Sequence, residues 1–196
     1  GTSGGTGTTT GSANEDATTA SADESTGVVL IDTVIGYENS AAAGTGLVLT
    51  SDGLVLTNNH VIADSTEISV TLSTGETYTA TVVGTDVADD VALLQLQGAS
   101  GLDTVTIDDD AESVGDAVTA VGNAEGGGVL LAADGEITQL DATVTTSGSD
   151  SETLDGMIQF SADVVAGDSG GALLDAEGEV IGVTTAASSG TATTTA

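Results

Sequence analysis

Polar and apolar residues alternate through most of this chain, and Val, Ile, Leu and Thr fill many of the positions in the alternating runs. A period of two places successive side chains on opposite faces of a strand, whereas helical spacing is hard to find here. Three segments pair two such runs around an acidic residue followed by glycine, which is typical of tight turns. These segments, residues 47–57, 130–140 and 173–183, are predicted to be β-hairpins.

Shorter stretches with the same alternation predict further strands. They lie at residues 66–72, 77–85, 91–96, 103–107, 116–121, 143–147 and 157–161. About a dozen short strands separated by turns are typical of an all-β barrel or sandwich. The pattern weakens at QGASGLD, so we expect two six-stranded halves that meet there. They are an N-terminal β-barrel over residues 27–100 and a C-terminal β-barrel over residues 101–187.

Both ends of the chain lack the alternating pattern and are rich in Gly, Thr, Ser and Ala. Segments with few apolar residues to bury do not offset the entropy lost on ordering. We therefore expect a disordered tether over residues 1–26 and a disordered tail over residues 188–196. No run of about 18 apolar residues occurs, and no basic region is followed by an apolar one, so neither a transmembrane anchor nor an export signal is predicted in this chain.

The charge balance departs strongly from that of an ordinary protein. The chain has 31 acidic residues, no Lys or Arg, and a formal net charge of −31. Charged residues of both signs normally make up about a quarter of a soluble protein. Adaptation to extreme salt explains such a composition, and so does a recoded or designed sequence.

The absent residue types exclude several functions. Without Lys, the glycine-rich segment 122–128 cannot be a phosphate-binding loop, and without Lys or Arg there is no basic surface for nucleic acid or an anionic membrane. The lack of Cys excludes thiol nucleophiles, zinc ribbons and disulfides. The acidic segment 107–118 offers oxygen ligands for calcium, but it lacks the central glycine and closing glutamate of an EF-hand loop. A solvated acidic turn is the preferred interpretation, and we expect no metal and no cofactor.

Three residues then form a candidate catalytic set in the order His, Asp, Ser. His60 follows a predicted strand, Asp90 directly precedes one, and Ser169 lies in the sequence Gly-Asp-Ser-Gly-Gly. In such a set the imidazole takes the serine proton, and the aspartate fixes the tautomer of the histidine. Backbone N–H groups of Gly167 and Ser169 would form an oxyanion hole. A structural histidine and a serine in a plain glycine turn are the alternatives.

The segments around these residues resemble a known family. TNNHVI, DDVALLQL and AGDSGGALLDAEGEVIGV are similar to motifs of the HtrA-like branch of the chymotrypsin-fold serine proteases, most closely to secreted or membrane-tethered actinobacterial members. The resemblance runs from about residue 28 to residue 187 and implies a chymotrypsin-like double six-stranded β-barrel with the site between the barrels. By the same resemblance His60 is the base, Asp90 orients it and Ser169 is the nucleophile, with Gly167 and Ser169 as the oxyanion hole.

The chain also departs from the family pattern. The family usually has proline on both sides of the serine motif, where this chain has Ala166 and Ala172. Many members of the family carry a C-terminal peptide-binding PDZ domain, and we expect none in this chain. In trypsin-like zymogens a freed N-terminal amine pairs with the aspartate before the serine, but residues 1–26 suggest no buried terminus. We therefore expect Asp168 to accept hydrogen bonds from the backbone instead.

The resemblance also suggests a substrate pocket formed by Asp163, Thr184, Thr185 and Ala186. Asp163 lies six residues before Ser169, the offset at which trypsin-like enzymes place a carboxylate that binds a substrate Arg or Lys. The alternation of the strand equally allows Asp163 to face solvent, as expected for HtrA-like enzymes that prefer small aliphatic side chains. We therefore expect cleavage mainly after Val, Ala or Leu, with cleavage after Arg or Lys as the alternative.

Taken together, these features predict a trypsin-like serine endopeptidase that hydrolyses polypeptides through an acyl-enzyme. Family resemblance places it outside the cell or in the cell envelope. The alternative is a catalytically inactive pseudoprotease, or a recoded or designed chain, that serves as a peptide-binding or interaction module. The sequence does not indicate an oligomeric state.

Overall fold

The computed structural model describes residues 17–37, 40–145, 151, 153–186 and 192–195. Six strands form a closed barrel in the order β2-β3-β4-β7-β6-β5. They are β2 (Val28–Ile35), β3 (Ser40–Val48), β4 (Leu54–Thr57), β5 (Glu67–Thr71), β6 (Thr77–Asp86) and β7 (Val91–Leu96). A four-residue α-helix, α1 (Asn59–Ile62), follows β4. No helix in the described part of the chain has the length and hydropathy needed to cross a membrane.

The second half of the chain and the short N-terminal strand β1 form a seven-stranded sheet in the order β1-β9-β10-β13-β12-β11-β8. Its strands are β1 (Thr18–Thr19), β8 (Ala117–Gly122), β9 (Leu131–Thr145), β10 (Thr153–Phe160), β11 (Ala172–Leu174), β12 (Val180–Ala186) and β13 (Ala192–Thr195). Because β8 also pairs with β9, six of these strands form a ring that returns to its starting strand. The predicted all-β class is confirmed, with a closed six-stranded barrel and a second sheet.

Alternation along each strand separates core from surface. In β7 every second residue is buried, and Ala92, Leu94 and Leu96 point into the first barrel. The core of the second half includes Phe160, which is almost completely buried. A third apolar cluster, containing Val28, joins strands of both halves. The two halves therefore pack against each other through apolar side chains.

Two of the three predicted hairpins are confirmed and the third is wrong. Strand β3 pairs with β4, and β11 pairs with β12. Residues 130–140, however, belong to the single continuous strand β9. A Cβ atom on Gly135 would lie 2.1 Å from the Ser161 carbonyl oxygen. The glycine in this Asp-Gly pair thus allows a close approach between chain segments rather than a turn.

Some other expectations also differ from the structure. Residues 103–107 form no strand apart from an isolated parallel bridge between Ile107 and Val180. Thr18–Thr19 pairs with β9, and Ala192–Thr195 pairs with β10 and β12, although both lie in segments expected to be disordered. The sequence prediction omits β2 and the first part of β3. Residues 1–16 of the predicted tether and residues 188–191 and 196 of the predicted tail lie outside the described residues.

The large negative charge predicts that this fold depends on salt. The chain has 31 acidic residues and no Lys or Arg, so carboxylate repulsion has little compensation from cations. The screening length falls from about 10 Å at 0.1 M salt to about 3 Å at 1 M. We expect the thermal midpoint to rise over this range, as measured by circular dichroism. The rise should shrink at about pH 4, where carboxylates become protonated. A midpoint that does not rise with salt at neutral pH contradicts the expectation.

Candidate active site

His60 and Asp90 form a doubly hydrogen-bonded pair. Helix α1 carries His60, and Asp90 lies directly before β7. The His60 backbone N–H donates to Asp90 Oδ1 at 2.9 Å, and His60 Nδ1 lies 2.6 Å from Asp90 Oδ2. The Asp90 side chain is 4 % exposed, whereas the His60 side chain is 49 % exposed. Because an ionised carboxylate only accepts hydrogen bonds, Nδ1 carries a proton in this arrangement, and the other ring nitrogen, Nε2, is free of that bond.

The backbone of Asp90 is held as firmly as its side chain. Asp90 has a φ of 52°, in the left-handed region, and its carbonyl accepts hydrogen bonds from the Asn59 N–H at 3.1 Å and from Asn58 Nδ2 at 2.9 Å. Asn58 Nδ2 also donates to Thr185 Oγ1 at 3.2 Å. Asn58 therefore links the aspartate to β12 in the second half. The sequence analysis missed this role, for which the position of Asn58 two residues before His60 was the only hint.

Ser169 lies in a buried turn that packs on β3. The Thr45 N–H donates to the Ser169 carbonyl oxygen at 2.9 Å, and Ser169 is 6 % exposed. At the adjacent Gly44, a Cβ atom would lie 2.5 Å from a methyl group of Val61 in α1 and 3.3 Å from the Ser169 carbonyl oxygen. Helix α1 and the serine turn thus meet at Gly44. Helix α1, which carries His60, and the turn that contains Ser169 therefore both lie against β3.

Thr45 is a second residue that the sequence analysis missed. Its hydroxyl donates to the Gly167 carbonyl oxygen at 2.8 Å and accepts from the Asn123 N–H at 2.9 Å. Its own carbonyl oxygen accepts from Thr57 Oγ1 at 2.7 Å. Thr45 and Thr57 are both completely buried. The serine turn is therefore held to the first barrel through side-chain hydrogen bonds in a dry environment.

The orientation of the Ala166–Gly167 peptide bond bears on the predicted oxyanion hole. The Glu125 N–H donates to the Ala166 carbonyl oxygen at 2.6 Å. Because the C=O and N–H of a trans peptide point in opposite directions, this bond turns the Gly167 N–H away from Glu125. Gly167 has a φ of +94°, and a Cβ atom there would lie 2.2 Å from the Asn123 carbonyl oxygen. The glycine-rich segment 122–128 thus supports the turn that precedes Ser169.

Asp168 is buried against the same segment. The Val165 N–H donates to Asp168 Oδ2 at 2.9 Å, so Asp168 accepts a hydrogen bond from the backbone, as the sequence analysis expects. A Cβ atom on Gly122 would lie 2.6 Å from the other carboxylate oxygen, so no larger residue fits there without a shift. Burial raises the pKa of Asp168 to about 6, although the Val165 hydrogen bond acts in the opposite direction. The charged form of Asp168 is therefore unfavourable in the folded protein.

This pKa predicts that Asp168 destabilises the fold as the pH rises. The carboxyl ionises near 3.8 when unfolded and near 6 when folded, so stability present below about pH 4 is lost as the pH rises through about 6. A shift of this size corresponds to about 2–3 kcal/mol. We expect Asp168→Asn to be more stable than the unsubstituted protein by about 2 kcal/mol near pH 7, with little difference near pH 4, in urea unfolding at both pH values. An equal difference at both pH values contradicts this.

The residues of the predicted substrate pocket have different environments. Asp163 is exposed to solvent. Thr184 and Thr185 are each 1 % exposed, and the Thr184 hydroxyl has no hydrogen-bond partner in the described part of the chain. The side chain of Ala186 lies outside the described residues. The structure therefore buries two of the four predicted residues and leaves Asp163 in contact with water.

Carboxylates that could hold a metal lie in the acidic segment around Asp108 and in the turn that contains Asp175 and Glu179. Ligand atoms of Asp108, Asp175 and Glu179 lie within 4.8 Å of one another, and all three residues are partly exposed. Burial, and after it the neighbouring Asp108, raise the pKa of Glu112 to about 7. The preferred interpretation of this segment as a solvated acidic turn stays a prediction.

Comparison with known proteins agrees with this geometry. Residues 44–183 match the family model described as a trypsin-like peptidase domain. The chain is 43 % identical over 145 residues to the periplasmic pH-dependent serine endoprotease DegQ of Escherichia coli, covering 73 % of this chain and 31 % of DegQ. It is 40 % identical over 147 residues to the periplasmic serine endoprotease DegP of Escherichia coli K12, covering 74 % and 30 %. The chain thus spans about a third of these relatives.

Solved structures of proteases have the same fold. The active form of the Rv3671c protease from M. tuberculosis superimposes with a TM-score of 0.77 at 29 % identity, covering 89 % of this chain and 77 % of the other. The HtrA-type protease AlgW with a tripeptide gives a TM-score of 0.77 at 29 % identity, covering 89 % and 58 %. The fold is therefore chymotrypsin-like, as the sequence predicted. The chain belongs to the trypsin-like peptidase domain family, and within it to the HtrA-type serine proteases.

Proposed function

We propose that this chain is a serine endopeptidase that cleaves polypeptides through an acyl-enzyme intermediate. The observation that carries the proposal is the double hydrogen bond between His60 and Asp90, beside the buried turn that contains Ser169. An aspartate that binds both the backbone and the ring of one histidine orients the ring and keeps its proton on Nδ1. Nε2, the ring nitrogen that Asp90 does not bind, is then the atom that accepts a proton from a nucleophile.

In the proposed reaction, Ser169 Oγ attacks the carbonyl carbon of the scissile peptide bond while His60 Nε2 takes the serine proton. Asp90 stabilises the imidazolium that forms. The N–H groups of Gly167 and Ser169 stabilise the oxyanion of the tetrahedral intermediate. The imidazolium then gives its proton to the leaving amine, which leaves the acyl group on Ser169. Water attacks the ester by the same sequence of proton transfers and regenerates the serine.

A fluorophosphonate probe tests this proposal, because it reacts with an activated serine and not with an ordinary one. We expect labelling of the full chain, loss of labelling in Ser169→Ala, and no loss in Ser51→Ala, a serine in an exposed turn. A folded protein that never reacts with the probe would favour the inactive binding module. Labelling that persists in Ser169→Ala would place the nucleophile elsewhere.

We further propose that the substrate pocket predicted at Thr184, Thr185 and Ala186 accepts small aliphatic side chains. The exposure of Asp163 supports this choice, since a carboxylate that binds a substrate Arg or Lys would be enclosed with it. The buried threonines supply no charge to the pocket. Cleavage mainly after Val, Ala or Leu follows from this proposal, and cleavage after Arg or Lys is the alternative.

The preference for aliphatic residues predicts a small effect of Asp163→Ala. Digestion of a peptide library at about 1 M salt, where charge attraction over long distances is screened, should give the same cleavage sites before and after the substitution. We expect kcat/KM for the favoured sequences to change by less than about threefold, because an exposed charge contributes little. Dominant cleavage after Arg that disappears in Asp163→Ala would overturn the aliphatic assignment.

We also propose that the protein acts outside the cell or in the cell envelope on polypeptide substrates. The names of its relatives DegQ and DegP describe them as periplasmic endoproteases. A surface without Lys or Arg supports the proposal that neither nucleic acid nor an anionic membrane surface is a partner. Cell fractionation followed by immunoblotting tests the location, and a cytoplasmic signal would contradict it.

A further inference from the structure

A large apolar cavity lies between the two halves of the molecule. Its volume is about 500 Å³, within the range of ligand-binding pockets. Leu56 and Val91 line it from the first barrel, and Leu140, Ile158 and Val183 line it from the second sheet. His60, Asp90 and Ser169 are not among its lining residues. The cavity is therefore distinct from the candidate active site.

The segment that connects the two halves extends the apolar wall of this cavity. Ile107 lines the cavity and is 62 % exposed, so part of its apolar side chain lies outside the cavity. Backbone hydrogen bonds hold the segment in place, since the Asp108 N–H donates to the Val180 carbonyl oxygen at 3.0 Å and the Val180 N–H donates to the Thr106 carbonyl oxygen at 2.7 Å. Ile107 is thus presented on a fixed backbone at the edge of the cavity.

Four carboxylates line the same cavity, namely Asp108, Asp110, Glu112 and Asp141. Burial and the neighbouring Asp108 both disfavour the charged form of Glu112. A bound cation would offset the repulsion between Glu112 and the neighbouring carboxylates. The chain contains no Lys or Arg, so neither another segment of this chain nor a second copy of it supplies such a side chain. A Lys or Arg side chain beside these carboxylates would therefore have to come from a different molecule.

We propose that this cavity binds a cationic amphipathic segment of another polypeptide, with its apolar side chains against Leu140 and Ile107 and its Lys or Arg side chains beside the carboxylates. The exposed surface of Ile107 continues the apolar wall outside the cavity, which suits an extended chain or helix better than an isolated alkyl group. Docking of apolar anchors in a groove, flanked by complementary charge, is a common mode of peptide recognition. This inference does not depend on the role of Ser169.

Fluorescence anisotropy tests the proposal with a labelled synthetic peptide that has Leu on one face of a helix and Lys on the other. The full chain carrying Ser169→Ala is used throughout, so that the peptide is not cleaved. We expect saturable binding that weakens roughly tenfold when Asp108→Asn, Asp110→Asn and Glu112→Gln are combined, since three partly or fully exposed ion pairs are lost. Ile107→Ser should weaken binding roughly fivefold through lost apolar contact.

Matched variants separate this site from general charge attraction. Asp64→Asn, Glu67→Gln and Glu76→Gln remove the same charge on the side of β5 and β6, and Val114→Ser alters a residue that is also 62 % exposed. Both controls should bind the peptide within about twofold of the chain that carries Ser169→Ala alone. Equal losses in the controls, no binding at all, or equally tight binding of a Leu and Glu peptide or of a simple alkylammonium would overturn the proposal. So would a dimer that dissociates in Ile107→Ser, because a second copy would then cover the cavity.

Discussion

Replacing Asp90 with asparagine is expected to lower kcat for peptide hydrolysis about ten-thousandfold, the loss known for this exchange in a His, Asp, Ser triad. The effect follows from the two hydrogen bonds of Asp90. The His60 backbone N–H can only donate, so it selects the oxygen of the asparagine amide. The amide nitrogen then takes the place of Oδ2, 2.6 Å from His60 Nδ1.

An amide nitrogen only donates, so Nδ1 must become the acceptor, and the ring proton moves to Nε2. A protonated Nε2 cannot take the proton of Ser169, which removes the general base without removing any atom of the ring. The fold should survive, because asparagine tolerates the left-handed backbone that Asp90 adopts, with a φ of 52°. The loss is therefore expected in the rate and not in the stability.

The single histidine of the chain makes this tautomer directly measurable. Nitrogen NMR of the imidazole should show the proton on Nδ1 in the unsubstituted protein and on Nε2 in Asp90→Asn. Asp89→Asn is the matched control, since it makes the same chemical change at an exposed neighbouring residue. An unchanged rate in Asp90→Asn, or the same tautomer in both proteins, would contradict the role assigned to Asp90.

Local sequence was enough to predict the elements whose turns are made by adjacent residues. The hairpins formed by β3 with β4 and by β11 with β12 follow from short apolar runs around a turn. The same reasoning fails for β9, where Asp134 and Gly135 continue the strand. Gly135 is required by the Ser161 carbonyl oxygen, which is far along the chain. A glycine needed for a distant contact cannot be distinguished locally from a glycine needed for a turn.

In the candidate site too, residues marked by a local motif could be predicted, and residues with distant partners could not. His60, Asp90 and Ser169 could be proposed because each lies in a distinctive local motif. Thr45 and Asn58 could not, since their partners Gly167 and Thr185 are 122 and 127 residues away. Threonine and asparagine are common polar residues, and only the closure of the two halves against each other buries them. Residues that hold the site together across the two halves therefore became visible only in the structure.

Gly170→Ala is expected to be the most destabilising of the glycine substitutions around Ser169. A Cβ atom at this position would lie 2.0 Å from the Thr45 carbonyl oxygen and 2.3 Å from Thr57 Oγ1, and the φ of Gly170 is +86°. Relief of this clash requires the serine turn to move away from β3, which breaks the hydrogen bond from the Thr45 N–H to the Ser169 carbonyl oxygen. We expect a loss of more than about 4 kcal/mol in the free energy of unfolding.

Gly178→Ala measures how much stability is lost when alanine adopts a left-handed backbone without any steric clash. Gly178 has nearly the same φ, +84°, but a Cβ atom there would meet nothing within 4 Å. Its substitution should cost about 1–2 kcal/mol, the usual penalty for a side chain in the left-handed region. Urea unfolding followed by circular dichroism measures both variants. Equal losses would mean that the serine turn moves away from β3 at little cost.

A second substitution at Thr57 should not restore the stability that Gly170→Ala loses, because the atom closest to the added methyl group belongs to Thr45. Thr57→Ala removes the hydroxyl at 2.3 Å, but the Thr45 carbonyl oxygen at 2.0 Å belongs to the backbone of β3 and stays in place. The double variant Gly170→Ala with Thr57→Ala should therefore be no more stable than Gly170→Ala, and it should not react with the fluorophosphonate probe. Recovery of stability and labelling in the double variant would show that a side chain, and not the approach of two backbones, makes glycine necessary after Ser169.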